Sequence, residues 1–207
     1  MKQVIFSSGM DNQPELADAL DAAGVSDQGV RALIQALVET VKKESPAIIA
    51  GLGASYPSAE AEASRAATGR VEVASLTANK ALLLGALAAA GVETAEVQYS
   101  GDGDSGGVED VDFTPVSVDV NDKKAMLLNV AYGWTGDRFV RVSIDKQSLE
   151  NALSVFVDGP LLDHFGHSGY ENNEGGGGTA IFVVKAGTIT LNHYDYIIER
   201  GESDHVL

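Results

Sequence analysis

The apolar positions of this chain change period once, near residue 91. Before it they recur at helical spacing. Leu16, Ala19, Leu20 and Ala23 follow an i, i+3, i+4, i+7 pattern, with Pro14 placed for the first turn and Gly24 for the stop. Val30, Leu33, Ile34, Leu37, Val38 and Val41 form a longer stripe with Ser26 or Asp27 as its cap. Lys42 and Lys43 fall in its last turn, where the helix dipole favours cations, and Pro46 marks its end. Residues 51–70 are small and polar and read equally as a linker or a short weak helix. A third helix is expected over Thr77–Ala90, closed by Gly91.

After Gly91 the period is two. Strands are expected over Val92–Tyr99, Val108–Val120, Leu127–Trp134 and Phe139–Ile144. Ser148–Val157 is again helical, with Leu149, Leu153 and Phe156 on one face, broken by Gly159-Pro160 and resumed over Leu161–Phe165. Ala180–Lys185 and Thr188–Tyr196 then read as a hairpin around Gly187. The pattern predicts an α+β protein: an α-helical N-terminal segment (1–76) ending in an Ala/Gly/Ser-rich linker, then an α+β domain (77–207) built on a small, mainly antiparallel sheet packed with one or two helices.

Charge sharpens that division. The 207 residues carry a net charge of −16; residues 1–95 hold 11 acidic and 7 basic residues, and residues 96–207 hold 19 and 7. Such a surface repels phosphates and anionic lipid, so direct nucleic-acid binding and membrane docking are not expected. There is no cysteine, which excludes disulfides, thiol catalysis and Cys-ligated metal. The apolar run at the N-terminus, Val4–Phe6, is far shorter than a signal-peptide core, and no stretch is read as approaching the roughly 20 apolar residues of a membrane span, so a cytoplasmic location is expected.

Several strings look like chemistry. Gly103-Asp104-Ser105-Gly106-Gly107 matches a serine-nucleophile motif, but a trypsin-like order needs a histidine before the serine, and all four histidines (His164, His167, His193, His205) follow it. A nucleophile elbow needs a helix after the serine, whereas Val108–Phe113 alternates like a strand; a tight hairpin turn is the preferred reading. The overlapping G-x-G-x-x-G at Gly101, Gly103 and Gly106 contains Asp102 and Asp104, which would repel a pyrophosphate. Asp102, Asp104, Glu109, Asp110 and Asp112 form an acidic run without a base: an exposed edge or a hard-cation site, although the fifth and twelfth positions of a calcium loop are wrong. Strand alternation places Asp110 and Asp112 on one face and Glu109 on the other with Val111 and Phe113. His164, His167 and Glu171 offer a mixed N/O ligand set, and His193 is expected to turn inward beside Ile189 and Leu191, while His205 is expected to be solvated. The run Gly175–Gly178 suits close backbone approach or mobility.

In order along the chain, Gly101, Gly103, Asp104, Ser105, Gly106 and Glu109, then His167, Gly169, Tyr170, Glu171, Asn173 and Gly175, then His193 resemble the pattern of an uncharacterised bacterial domain family of unknown function, frequent in proteobacterial and mobile-element genomes. The resemblance spans residues of about 77–207. It departs at Tyr170, where the family usually has Trp, and at Glu174, where it usually has Asp. The family brings no established activity.

Two functions emerge as expectations. The first is a non-enzymatic binding protein whose Asp102, Asp104, Glu109, Asp110 and Asp112 meet a basic protein, such as a nucleic-acid-binding one; the mobile-element association adds an inhibitory, anti-defence or regulatory role. The second is a hydrolase in which Asp104, Glu109, His167, Glu171 and His193 converge on one divalent cation. A third reading takes the glycine-rich loops as turns of a sheet.

Overall fold

A computed structural model describes residues 2–8, 15–135, 137–172 and 174–197. Pro14, Asn173 and His205 lie outside them. The elements are β1 (Lys2–Ser7), α1 (Leu16–Ala23), α2 (Gln28–Gly51), α3 (Ala59–Ala90), β2 (Thr94–Asp102), β3 (Ser105–Thr114), β4 (Lys124–Thr135), β5 (Asp137–Ser148), α4 (Leu149–Phe156), α5 (Leu162–Phe165), β6 (Gly176–Val183) and β7 (Thr188–Asp195). They form the α+β fold expected, with two antiparallel sheets instead of one, ordered β1-β5-β4 and β3-β2-β6-β7.

The N-terminal residues differ most from expectation. The run Val4-Ile5-Phe6 is a strand that pairs with β5 and buries Ile5 and Phe6, so the segment 1–76 is not purely helical. Helix α2 begins at its Asp27 cap, whose carboxylate accepts from the Val30 amide, but runs through Pro46 to Gly51. Proline costs one helical bond and crowds the preceding turn. Here burial of Ile48 and a hydrogen bond from Arg138 Nη1 to the Ile49 carbonyl hold the last turns in place. Helix α3 starts at Ala59, capped by Ser58, and absorbs most of the 51–70 stretch; Ala-rich sequence has high helix propensity, and the boundary expected at 76/77 falls inside this one helix. Glu44 of α2 pairs with Arg70 of α3, and the guanidinium holds the carboxyl below its usual range. Against the expectation that no stretch approaches a membrane span, α3 is long and apolar enough by composition to cross one, with an 18-residue window of mean hydropathy 1.5; in the fold Ala67, Val71, Leu83 and Leu87 on this helix are core residues.

Two apolar cores flank β4. Its even positions, Met126, Leu128, Val130 and Tyr132, pack with β5, α2 and the first half of α3; its odd positions, Ala125 and Leu127, join Leu83 and Leu87 of α3, β2, β6 and α4. Period-two side-chain alternation thus lets one strand serve both cores. Helix α4 buries Leu149, Leu153 and Phe156 as its spacing predicts, and Gly159-Pro160 widens the chain into a π turn (Val157–Leu161) without breaking it.

β4 is an edge strand, so half of its backbone groups lack a ladder partner. At the centre of the molecule Asn79 of α3, fully buried, supplies one: its Nδ2 donates to the Leu128 carbonyl (3.0 Å) and its Oδ1 accepts from the Leu128 amide (2.7 Å). Replacing Asn79 with leucine orphans a buried donor and a buried acceptor together. Asn79→Leu is expected to lower unfolding free energy by about 2–5 kcal/mol in urea denaturation.

Candidate functional site

The glycine-aspartate string is a hairpin turn. Gly103 and Asp104 have φ of 55° and 67°, the two positive values of a type I′ connection, and Asp102 pairs with Ser105 across it. Ser105 is the exposed first residue of β3 and leads into a strand, not the helix that a nucleophile elbow requires. The second loop, residues 166–175, packs on the end of this hairpin. The Asp104 amide donates to the Glu171 carbonyl at 3.0 Å. A Cβ at Gly101 or Gly106 would stand 2.7 or 2.9 Å from the Glu171 Cβ, so side-chain-free strands are what admit the loop.

Beside that contact, one rung of the sheet runs Tyr99–Gly178–His193 across β2, β6 and β7. Because Gly178 has no side chain, Tyr99 and His193 meet above it: Tyr99 Oη lies 2.8 Å from His193 Nδ1. A Cβ on Gly178 would come within 2.6 Å of the Tyr99 hydroxyl and also strike the Asn192 carbonyl. His193 Nε2 lies 3.1 Å from Asp195 Oδ1. The partners assign the tautomer. A carboxylate only accepts, so Nε2 carries the proton and Nδ1 accepts from the Tyr99 O–H. His167 stacks on His193 with ring centroids 3.9 Å apart, and Tyr170 meets Tyr99 edge-to-face at 5.0 Å while donating to Asp158 Oδ1 at 3.0 Å. Burial, then the charges of Tyr194 and Asp195, pushes the Tyr99 phenol up to about 12; burial and the bond to Asp158 raise Tyr170 as well. Tyr99 is 2 % exposed. Its hydroxyl therefore locks the rung and is not presented to a substrate.

The five residues expected to share a cation divide between two places. His193 turns inward as anticipated and His167 joins it. Asp104 sits exposed at the turn, and Glu171 approaches through its backbone. Glu109 is on the opposite face from the one alternation assigns. A β-bulge at Gln98/Tyr99 leaves Glu109 unpaired, so Val108 stays inward with Tyr99 while Glu109 turns outward to accept from Ser100 Oγ. Among the described residues no three His, Asp or Glu side chains are grouped to hold a metal ion. Sequence reasoning missed Tyr99, Asp158 and Asp195. The i, i+2 spacing of His193 and Asp195 on one strand face was the available signal.

On the outward face the result is a continuous acidic surface. Asp102, Asp104, Glu109, Asp110 and Asp112 are all exposed, as is Glu96 on β2, and none of the strands β2, β3, β6 and β7 contains Lys or Arg. Gln98 Nε2 donates to Asp112 at 3.1 Å. Tyr194 and Tyr196, both about half exposed, stand edge-to-face at 5.4 Å; a shallow hollow between Tyr196 and Glu109 is floored by Gly101, Gly106 and Gly107.

This geometry sets two expected outcomes. Gly178→Ala is expected to destabilise the protein by about 2–4 kcal/mol and to separate Tyr99 from His193, read as lost protection of the β2/β6 amides in hydrogen exchange. A phenol whose pKa is raised on folding stabilises the protein fully below the unfolded value near 10 and loses that contribution as pH climbs through the folded value. Stability should thus decline between pH ~10 and ~12, and Tyr99→Phe should flatten that decline in alkaline urea melts.

No curated protein and no solved structure matches the chain. A family model matches residues 75–207, from the middle of α3 onward, and so takes in the hairpin, the 166–175 loop and the Tyr99–Gly178–His193 rung while leaving out β1, α1 and α2. The chain belongs to this family, described as a family of unknown function (DUF6878).

Proposed function

We propose that this protein binds a basic protein partner through the outward face of its four-stranded sheet, and that the partner's basic surface is one that otherwise holds nucleic acid. The observation that carries this reading is the uncompensated charge: Glu96, Asp102, Glu109, Asp110 and Asp112 are exposed on strands that contain no Lys or Arg. Like charges gathered on one face repel one another and cost the folded state some stability, so a counter-charged partner gains from neutralising them. Such complementarity raises association rates and selects basic partners. The tyrosines add a second means of recognition. Tyr194 and Tyr196 offer exposed rings beside Glu109, an arrangement that suits Lys or Arg through cation–π contact backed by a carboxylate. By occupying a nucleic-acid-binding surface the protein would act as an inhibitor or regulator.

The test compares the wild type with a triple variant, Glu109→Gln/Asp110→Asn/Asp112→Asn, and with a control that removes Asp18, Glu60 and Glu62 from the helices. Wild type and control are expected to retain a basic protein from cell lysate at low salt and release it at high salt, because exposed charges are screened within about 8 Å at physiological ionic strength. The triple variant should bind the retained protein about tenfold more weakly or worse. Equal retention by the triple variant, or none by the wild type at low salt, would overturn the reading.

A further inference from the structure

Each sheet ends in two edge strands: β1 and β4 in one, β3 and β7 in the other. An edge invites pairing with another chain unless charge, a bulge or a covering element guards it. Three of these edges are guarded. β1 is bulged between Val4 and Phe6, β4 is partly covered by α3 where Asn79 holds Leu128, and β3 carries Glu109, Asp110 and Asp112 beside a bulge. β7 has none of these devices. It pairs with β6 in unbroken register over 8 residues, contains no proline, and carries a single charged side chain, Asp195, at its end.

In an antiparallel ladder, successive residues alternately bond the neighbouring strand and point away from it. The Tyr196 amide donates to the Gly175 carbonyl, and the Asn192 and Tyr194 carbonyls point at Gly178 and Gly176 of β6. Even-numbered positions therefore bond β6, while Ile189, Leu191 and His193 turn their amides and carbonyls to the open side. Among the described residues nothing bonds those groups there. The Ile189 and Leu191 side chains stand at the border of the inner core and are only partly buried. The edge is also complementary to itself. Lys185, exposed in the turn before β7, and Asp195, exposed at its far end, carry opposite charges. A second β7 laid antiparallel about a two-fold axis at Leu191 sets Ile189 of each copy opposite His193 of the other and uses all the outward groups. Asp195 then faces Gly187 of the other copy, two positions from Lys185 and within reach of that long side chain. The leucines meet at the axis and extend both cores. A net charge of −16 opposes contact between copies, but in this sheet the acids gather on β3, the edge farthest from β7.

We propose that two copies of this protein associate through β7, antiparallel and centred on Leu191, so that their four-stranded sheets become one continuous sheet with two-fold symmetry. The axis stands perpendicular to the sheet, which leaves both acidic faces on the same side. The contact is made by the strand edge and does not rest on the partner proposed for those faces.

The test follows sedimentation of the full chain across micromolar concentrations, together with hydrogen exchange at the Ile189, Leu191 and His193 amides. The wild type is expected to dimerise, and these amides to gain about tenfold protection or more as the dimer fills. Lys185→Glu, in an exposed turn, should weaken the dimer about three- to tenfold and leave the melting of the monomer unchanged. Leu191→Lys sets two ammonium groups together at the axis and should abolish dimerisation, with circular dichroism checking that the fold is kept. The chain has no cysteine, so cross-linking reads the register directly. An equal mixture of Thr190→Cys and Asn192→Cys proteins should form a disulfide-linked dimer and either protein alone should not, because only the mixed pair stands directly opposite. The proposal falls if the wild type sediments as a monomer up to about 0.5 mM, or if Lys185→Glu dimerises as the wild type does. It falls equally if the three amides are already protected in the monomer, as a segment of the same chain lying along the edge would make them, or if either cysteine variant alone cross-links as well as the mixture.

Discussion

The pair of hydrogen bonds between Asn79 and Leu128 is the joint on which the rest of this molecule is hung. An edge strand buried without partners would be unfavourable, and a helix has no free backbone groups in its middle to offer one. A carboxamide carries a donor and an acceptor side by side, as a strand does, and so α3 takes the place of a fourth strand beside β4 at a single residue. That contact sets α3 across both apolar cores, its first half against α2 and β5 and its last turns under the four-stranded sheet.

From this joint the two surfaces of interest arise in different ways. The four-stranded sheet has its inner face filled by α3, α4 and the π turn, so its outer face and the carboxylates on it are left to solvent. The β4 edge beyond Leu128 is only partly covered, and a hollow of about 240 Å3 lies beside it. One surface is broad and charged; the other is a small hollow beside the strand edge. The glycines serve neither directly. Gly101 and Gly106 admit Glu171 of the second loop, and Gly178 admits the Tyr99–His193 pair, so the end of the sheet is closely packed. Gly101 and His193 thus build the sheet end, whereas Glu109 faces solvent.

Much of this was legible along the chain. Amphipathic spacing located α1, α2, the last turns of α3, and α4 with its buried Leu149, Leu153 and Phe156; alternation located all the strands after Gly91; and the strand-like sequence after Ser105 marked a turn where a motif suggested a nucleophile. These features are decided within a few residues, by side-chain period and backbone sterics. The features that the chain could not disclose depend on partners distant in sequence. β1 is a strand because β5 lies beside it, Pro46 stays helical because Ile48 and Arg138 anchor the final turn of α2, and Glu109 faces outward because a bulge opposite Tyr99 shifts its register by one. Asn79 looked like any polar residue on a helix until Leu128, 49 residues later, arrived at its amide. Local sequence determines which element a residue joins; which face it presents, and to whom, is decided only when non-neighbouring backbone groups must find their hydrogen bonds.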